Sequence, residues 1–188
     1  MMEFTYHRVE SAPEAAKPLL EQSLARYKFI PNLHAVMAEA PQLLAAYQQV
    51  GDLYSKTSLT VLEQQIVLLS INRENDCRYC MAAHSAIANL KKMPADILRA
   101  LREGRPLDDR KLQALRAFAE TMTVTRGWPD EGALEALLQA GYSKQQLLEV
   151  ILALGYKVMS NYVNHLAETE LDESFKPFVW SREQAEAE

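Results

Sequence analysis

The chain has 188 residues, a formal net charge of -5 and a pI near 5.5. That length suits one domain with a proper hydrophobic core. The acidic balance excludes a surface built for nucleic acid or an anionic membrane, which would need clustered Lys and Arg.

No apolar run approaches the length a bilayer requires. Residues 1–17, interrupted by Glu3, His7, Arg8, Glu10 and Glu14, contain no hydrophobic signal core, so a cytoplasmic protein is expected. Only 6 Gly residues among abundant Ala, Leu, Glu and Gln favour helix.

Taken in chain order, residues 1–10 form a polar lead. Ser11 and Glu14 then have the spacing of a capping box, predicting a helix to about Tyr27. Phe29-Ile-Pro-Asn32 breaks it, and Asn32 can cap a short helix through Leu33, Val36 and Met37. Pro41 opens a third helix, whose Leu43, Leu44, Tyr47, Val50, Leu53 and Tyr54 form a stripe at helical spacing. Thr60 and Glu63 make a second capping box, opening a helix that is apolar on nearly all sides at Ile66–Ile71 and therefore buried.

A cysteine-bearing helix should follow from near Asp76 to Asn89, then a short one from Pro94 to Glu103, stopped by Gly104. Leu112, Leu115, Phe118, Ala119 and Met122 mark an amphipathic helix that Gly127-Trp-Pro129 ends. Another spans Asp130 to Ala140. Ser143 and Gln146 form a third box before a long helix with Leu147, Ile151, Leu154, Val158, Tyr162 and Leu166 as its apolar positions. The residues show no sustained period-2 alternation bounded by hairpin turns, so the expected class is all-α.

One domain over 1–188 is expected, with 1–10 and 182–188 as flexible tails and a reactive motif within 74–89. Shifting the chain by 81 superposes Gln64-Gln65-Ile66-Val67 on Gln145-Gln146-Leu147-Leu148, and His84 on His165, which suggests two pseudo-repeated helical halves. The long apolar helices also predict self-association.

Both cysteines lie in Glu74-Asn-Asp-Cys-Arg-Tyr-Cys-Met-Ala-Ala-His84. On a helix, Cys77, Cys80 and His84 share one stripe. In a reducing compartment such a pair reads as catalytic or metal-binding rather than as a structural staple. A helix N-terminus and a nearby base both favour the thiolate. Asp76 opposes a charge on Cys77, whereas Cys80 has His84 one turn on, so Cys80 is the expected attacking thiol and Cys77 the resolving one. Attack on a peroxide would give a sulfenic acid that condenses with the second thiol.

These residues, with Glu63-Gln-Gln-Ile-Val upstream, resemble the signature of the alkylhydroperoxidase AhpD-like, carboxymuconolactone decarboxylase superfamily. Asn161-Tyr-Val-Asn-His-Leu-Ala-Glu-Thr-Glu-Leu-Asp172 extends the likeness to its peroxidase-related members. The resemblance implies an all-helical fold, trimers or dimers of trimers, and thiol peroxidase activity without a bound cofactor or metal. It also implies a hydroperoxide substrate and a dihydrolipoyl- or thioredoxin-like reductant. Cys80, Cys77 and His84 match the peroxidatic thiol, the resolving thiol and a relay histidine.

The relay carboxylate of the family lies twelve residues before the first Cys, where this chain has Gln65. An amide cannot shuttle a proton. Glu63, Glu74 and His165 are the candidate substitutes. Beside the redox reading, a thiol peroxidase or disulfide reductase, stand three others: an oligomeric scaffold whose thiols merely pack, a zinc-holding module using Cys77, Cys80 and His84, and a lyase like the decarboxylases of the superfamily.

Overall fold

The computed structural model describes residues 3–187, and all regular structure among them is helical. Ten α-helices follow in order: α1 (Lys17–Tyr27), α2 (Asn32–Met37), α3 (Pro41–Tyr54), α4 (Val61–Glu74), α5 (Arg78–Leu90), α6 (Ala95–Glu103), α7 (Arg110–Val124), α8 (Glu131–Gln139), α9 (Lys144–Ala167) and α10 (Arg182–Ala187). Single 3₁₀ turns at Glu14–Ala16 and Lys176–Phe178 complete the chain.

Helix α4 is the central element. From Glu63 to Arg73 every residue is buried, as its uninterrupted apolar run requires. One face packs on α7 and another on α5, while α9 crosses both α3 and α4. Three apolar clusters result. The first joins Val67, Leu68 and Ile71 of α4 to Leu115, Phe118 and Ala119 of α7 and to Val150 and Ala153 of α9. A second holds Leu20, Leu33, Met37, Leu44 and Tyr47 against Cys77, Tyr79 and Cys80. The third packs Ile66, Leu69 and Met81 against Leu101 and Trp180.

The capping boxes at Thr60–Glu63 and Ser143–Gln146 form with both reciprocal bonds present. The one read at Ser11–Glu14 does not. Ser11 Oγ instead accepts from Arg8 N at 2.9 Å, Glu14 pairs with Lys17, and α1 starts later, at Lys17. Pro31 rather than Asn32 stands at the start of α2, because the Asn32 side chain is drawn away to Glu170 O at 3.0 Å.

Helix α9 presents a different face from the one its apolar spacing suggests. Ile151, Val158, Tyr162 and Leu166 are exposed, Tyr162 by 56% and Leu166 by 72%. Val150, Ala153, Lys157, Ser160, Asn161 and Asn164 are buried in their place. The physical reason is a polar cluster inside the fold that only this face can complete.

The segments related by the 81-residue shift also follow different courses: α4 and α5 are separated by a sharp turn, whereas α9 runs unbroken. At the ends, residues 3–10 are tied down through His7, whose N bonds Ala35 O at 3.2 Å and whose Nε2 meets Glu39 at 2.7 Å. Residues 182–187, read as a tail without apolar anchors, form α10, with Ala185 against the third cluster. Residue 188 lies outside the described residues.

Candidate active site

The site begins with the break between α4 and α5. Asn75 ends α4 and Asp76 takes the left-handed conformation, at φ 50°. Asp76 N then bonds Arg73 O and Cys77 N bonds Asn72 O, both at 3.0 Å, which is the paired closure of a Schellman motif. Asp can occupy such a position because its short polar side chain tolerates it. The consequence is a helix that starts one residue later than the sequence suggests. Cys77 is the N-cap of α5, and Cys80 sits in its first turn, where the unpaired N–H groups and the positive end of the dipole lie.

Both sulfurs are buried. Asn164 Nδ2 donates to Cys80 Sγ at 3.2 Å and lies 3.8 Å from Cys77 Sγ, so one amide from α9 bridges the pair. A chain of amides fixes α9 against the cysteine turn. Asn75 Nδ2 donates to Asn161 Oδ1 at 2.8 Å, Asn161 Nδ2 to Asn72 Oδ1 at 3.1 Å, and Asn72 Nδ2 to the Cys80 carbonyl at 3.2 Å. Buried amides of this kind are tolerated only when paired, which is why the polar face of α9 turns inward.

The two thiols differ electrostatically. For Cys80, burial raises the pKa, but the hydrogen bond from Cys77, the charge of Lys157 and bonds from Ser160 and Asn161 outweigh it and bring it down to about 5. The hydrogen bond to Cys80 is the main influence on Cys77 and, with burial, pushes that thiol well up. One proton is thus shared unequally: Cys77 keeps it and donates to the Cys80 thiolate.

His84 is held between two buried side chains. Lys157 Nζ, on a residue with 0% exposure, lies 3.1 Å from Nε2, and Gln65 Oε1 lies 3.2 Å from Nδ1. An ammonium has no lone pair, so Nε2 must accept, and the single imidazole proton sits on Nδ1 and is donated to Gln65. Burial, followed by the charge of Lys157, holds the His84 pKa well below its ordinary value, so the ring is neutral.

A cavity of about 490 Å³ opens on this group. Cys80, His84 and Lys157 line it; Cys77 does not. Its walls are largely aromatic, formed by Tyr27, Phe29, Tyr47, Tyr79, Tyr156 and Phe175. Tyr47 stacks on Tyr156 with ring centroids 4.6 Å apart. Tyr79 is pinned at the start of α5 by its hydroxyl, which donates to Asp172 Oδ2 at 2.5 Å, while Asp172 Oδ1 accepts from Asn32 N at 3.0 Å. Asp172 therefore ties the segment after α9 to both α2 and the cysteine helix.

The structure brings together Cys77, Cys80, His84 and Gln65, and leaves the three carboxylate or histidine substitutes elsewhere. Glu63 is spent on the Thr60 cap and on Tyr142, whose hydroxyl donates to it at 2.9 Å. Glu74 pairs with Arg73 at 3.5 Å. His165 lies on the exposed face of α9, stacked on Tyr162 with centroids 6.3 Å apart. The residue that sequence reasoning missed is Lys157, together with Ser160 and Asn164. Its signal was present: Lys157, Ser160, Asn161 and Asn164 follow helical spacing as a polar stripe inside an apolar helix.

No protein-family model matches the chain, and no curated protein matches it by sequence. Solved structures do match in fold. A variant of the debrominase Bmp8 in complex with 2,3,4-tribromopyrrole superposes with a TM-score of 0.81 at 16% identity, over 99% of this chain and 98% of that one. An alkylhydroperoxidase AhpD core structure, a peroxidase-related protein from Ralstonia eutropha JMP134, gives 0.77 at 19% identity, over 96% of each chain. A peroxidase-related protein from Silicibacter sp. TM1040 gives 0.76 at 20% identity, over 93% of this chain and 95% of that one. The helix order and these superpositions together identify the architecture of this chain as the AhpD-like all-α fold.

Proposed function

We propose that the protein is a thiol-dependent peroxidase acting on organic hydroperoxides, with Cys80 as the attacking thiol and Cys77 as the resolving one. The observation that carries this reading is the asymmetry of the pair: Cys80 alone lines the cavity, beside a buried ammonium, and its thiolate is the favoured one. The Cys80 thiolate attacks the distal oxygen of ROOH, the S–O bond forms as the O–O bond breaks, and the sulfur gives up two electrons. The leaving alkoxide takes a proton to become ROH. Lys157, held at the cavity by its contact with His84 Nε2, is the group available to supply it. Cys77 then attacks the sulfenic sulfur, forming the disulfide and releasing water. A dihydrolipoyl- or thioredoxin-like thiol reductant returns the pair to the dithiol, as the reducing cytoplasm allows.

Gln65 has a different task from the carboxylate expected there. It accepts the Nδ1 proton and so fixes the tautomer in which Nε2 faces Lys157. The same ammonium opposes a zinc ion at His84, because both would need the one lone pair on Nε2. The exposed stripe of Ile151, Val158, Tyr162 and Leu166 supports assembly into a homo-oligomer, a trimer or hexamer by resemblance.

The direct experiment is stopped-flow consumption of cumene hydroperoxide by the reduced protein. Loss of the fast phase in Cys80→Ser, with a single turnover ending in a trappable sulfenic acid in Cys77→Ser, is the expected result. Unchanged consumption in Cys80→Ser sinks the reading. The aromatic cavity also suits a second reading, reduction of a halogenated ring, in which dithiol and aryl bromide give disulfide, arene and hydrogen bromide. Bromide release from a brominated pyrrole by the reduced protein, absent in Cys80→Ser, distinguishes it.

A further inference from the structure

A second polar group reaches the cavity, and the redox chemistry does not use it. His34 of α2 lines the same cavity as Cys80 but stands among different neighbours, edge-on to Tyr27 at 5.6 Å and to Tyr47 at 5.5 Å between ring centroids. It is 5% exposed. Its position is set from two further helices. Nδ1 is 2.8 Å from Ser23 Oγ of α1, and Gln48 Nε2 of α3 donates to the same oxygen at 2.9 Å.

Two proton arrangements fit these contacts, because Gln48 Nε2 also donates to Leu19 O, at 3.0 Å. In the one where Ser23 Oγ gives its hydrogen to Leu19 O at 2.9 Å and accepts from Gln48, the Nδ1–H of His34 donates to Ser23. Nε2 then carries a free lone pair and has no hydrogen-bond partner among the described residues. Burial, helped by the charge of Arg26, lowers the His34 pKa to about 4, so the ring is neutral and the lone pair stays open at neutral pH. A ring nitrogen oriented from three helices, nine-tenths buried and unpaired beside an apolar cavity, is the arrangement of a recognition point.

We propose that His34 Nε2 accepts a hydrogen bond from a hydroxyl or N–H group on a ring-bearing substrate whose reducible group is presented to Cys80. The substrate class is therefore a hydroxylated or N–H-bearing aromatic compound. Simple alkyl hydroperoxides and hydrogen peroxide lack the group that His34 reads. The stacked Tyr47 and Tyr156 supply the flat wall, and Ser23 with Gln48 positions the acceptor. The half of this statement that concerns Cys80 rests on the peroxidase reading; the half that concerns His34 does not.

Binding is therefore tested apart from turnover. The probes are 2-phenyl-2-propanol and its ortho-, meta- and para-hydroxy derivatives, titrated by NMR into Cys80→Ser. At least one hydroxylated isomer is expected to bind about tenfold more tightly than the parent alcohol, the worth of one buried hydrogen bond. His34→Phe keeps a ring between Tyr27 and Tyr47 and leaves Ser23 its bonds to Leu19 and Gln48; added to Cys80→Ser, it should erase that preference. His34→Gln in the same background, with an amide oxygen able to reach the Nε2 position, should restore part of it. In the intact dithiol protein, the matching hydroxycumyl hydroperoxide should show the same ratio in kcat/KM over cumene hydroperoxide. No isomer gaining more than twofold, or a preference that survives His34→Phe, overturns the proposal. Absence of turnover with every hydroperoxide refutes the peroxidase reading instead and leaves the binding ratio to decide His34.

Discussion

Replacing Lys157 with Met is the perturbation that separates an electrostatic site from two packed thiols. The side chain is wholly buried, similar in length to Met, and bonded through Nζ to His84 Nε2, so the substitution removes a charge and little volume. Burial by itself raises the Cys80 pKa; Lys157 is the one full positive charge among the groups that reverse this to about 5. At an effective dielectric near 20, a unit charge placed about 5 Å from a thiolate contributes on the order of 3 kcal/mol. That is about 2 pKa units.

The sign follows directly. Cys80 is ionised above its midpoint, so a midpoint raised from about 5 to roughly 7 empties the thiolate between those values and not above them. At pH 6 the ionised fraction should fall from about nine-tenths to about one-tenth, and the rate of hydroperoxide reduction about tenfold, whereas near pH 9 the two proteins should converge. The assay is the pH profile of site-resolved Cys80 alkylation by iodoacetamide, alongside peroxide consumption. Superposable profiles for Lys157→Met and the parent would refute the reasoning, because a thiol activated only by the helix terminus and Asn164 would not register the loss of the cation.

Further outcomes follow from the same contacts. Gln65→Leu leaves the buried Nδ1–H of His84 without an acceptor and should cost about 1–3 kcal/mol in urea unfolding, with no loss if the amide were only filling space. Ile151→Glu combined with Tyr162→Glu puts two charges on the exposed apolar face of α9 and should shift the sedimentation coefficient to that of a monomer, while an unchanged assembly would exclude this face as the contact.

The class of fold and the closeness of the two cysteines were legible in the residues. Two capping boxes, Gly104 after α6 and the helical spacing of Leu112 to Met122 place their elements correctly, because each depends on contacts within one or two turns of chain. Cys80 and His84 were legible for the same reason, being one turn apart on α5, with Cys77 capping its start. The opening of the chain was misread: Ser11 has a local alternative in Arg8 N, and a hydroxyl takes the nearest good donor.

What tertiary structure alone decided was the partner of that stripe. By spacing, α9 offers two faces, one apolar at Ile151, Val158, Tyr162 and Leu166, the other mixed at Lys157, Ser160, Asn161 and Asn164. Hydrophobicity by itself favours burying the first. The second is buried because Asn161 bonds Asn72 and Asn75, Asn164 bonds the thiols, and Lys157 reaches His84. The polar stripe of α9 shows in its helical period, but its partners, more than seventy residues away in the chain, do not. Sequence by itself placed two thiols and an imidazole on one short stretch of chain; the packing of α9 brought in Lys157, whose charge, after the hydrogen bond from Cys77, lowers the Cys80 pKa.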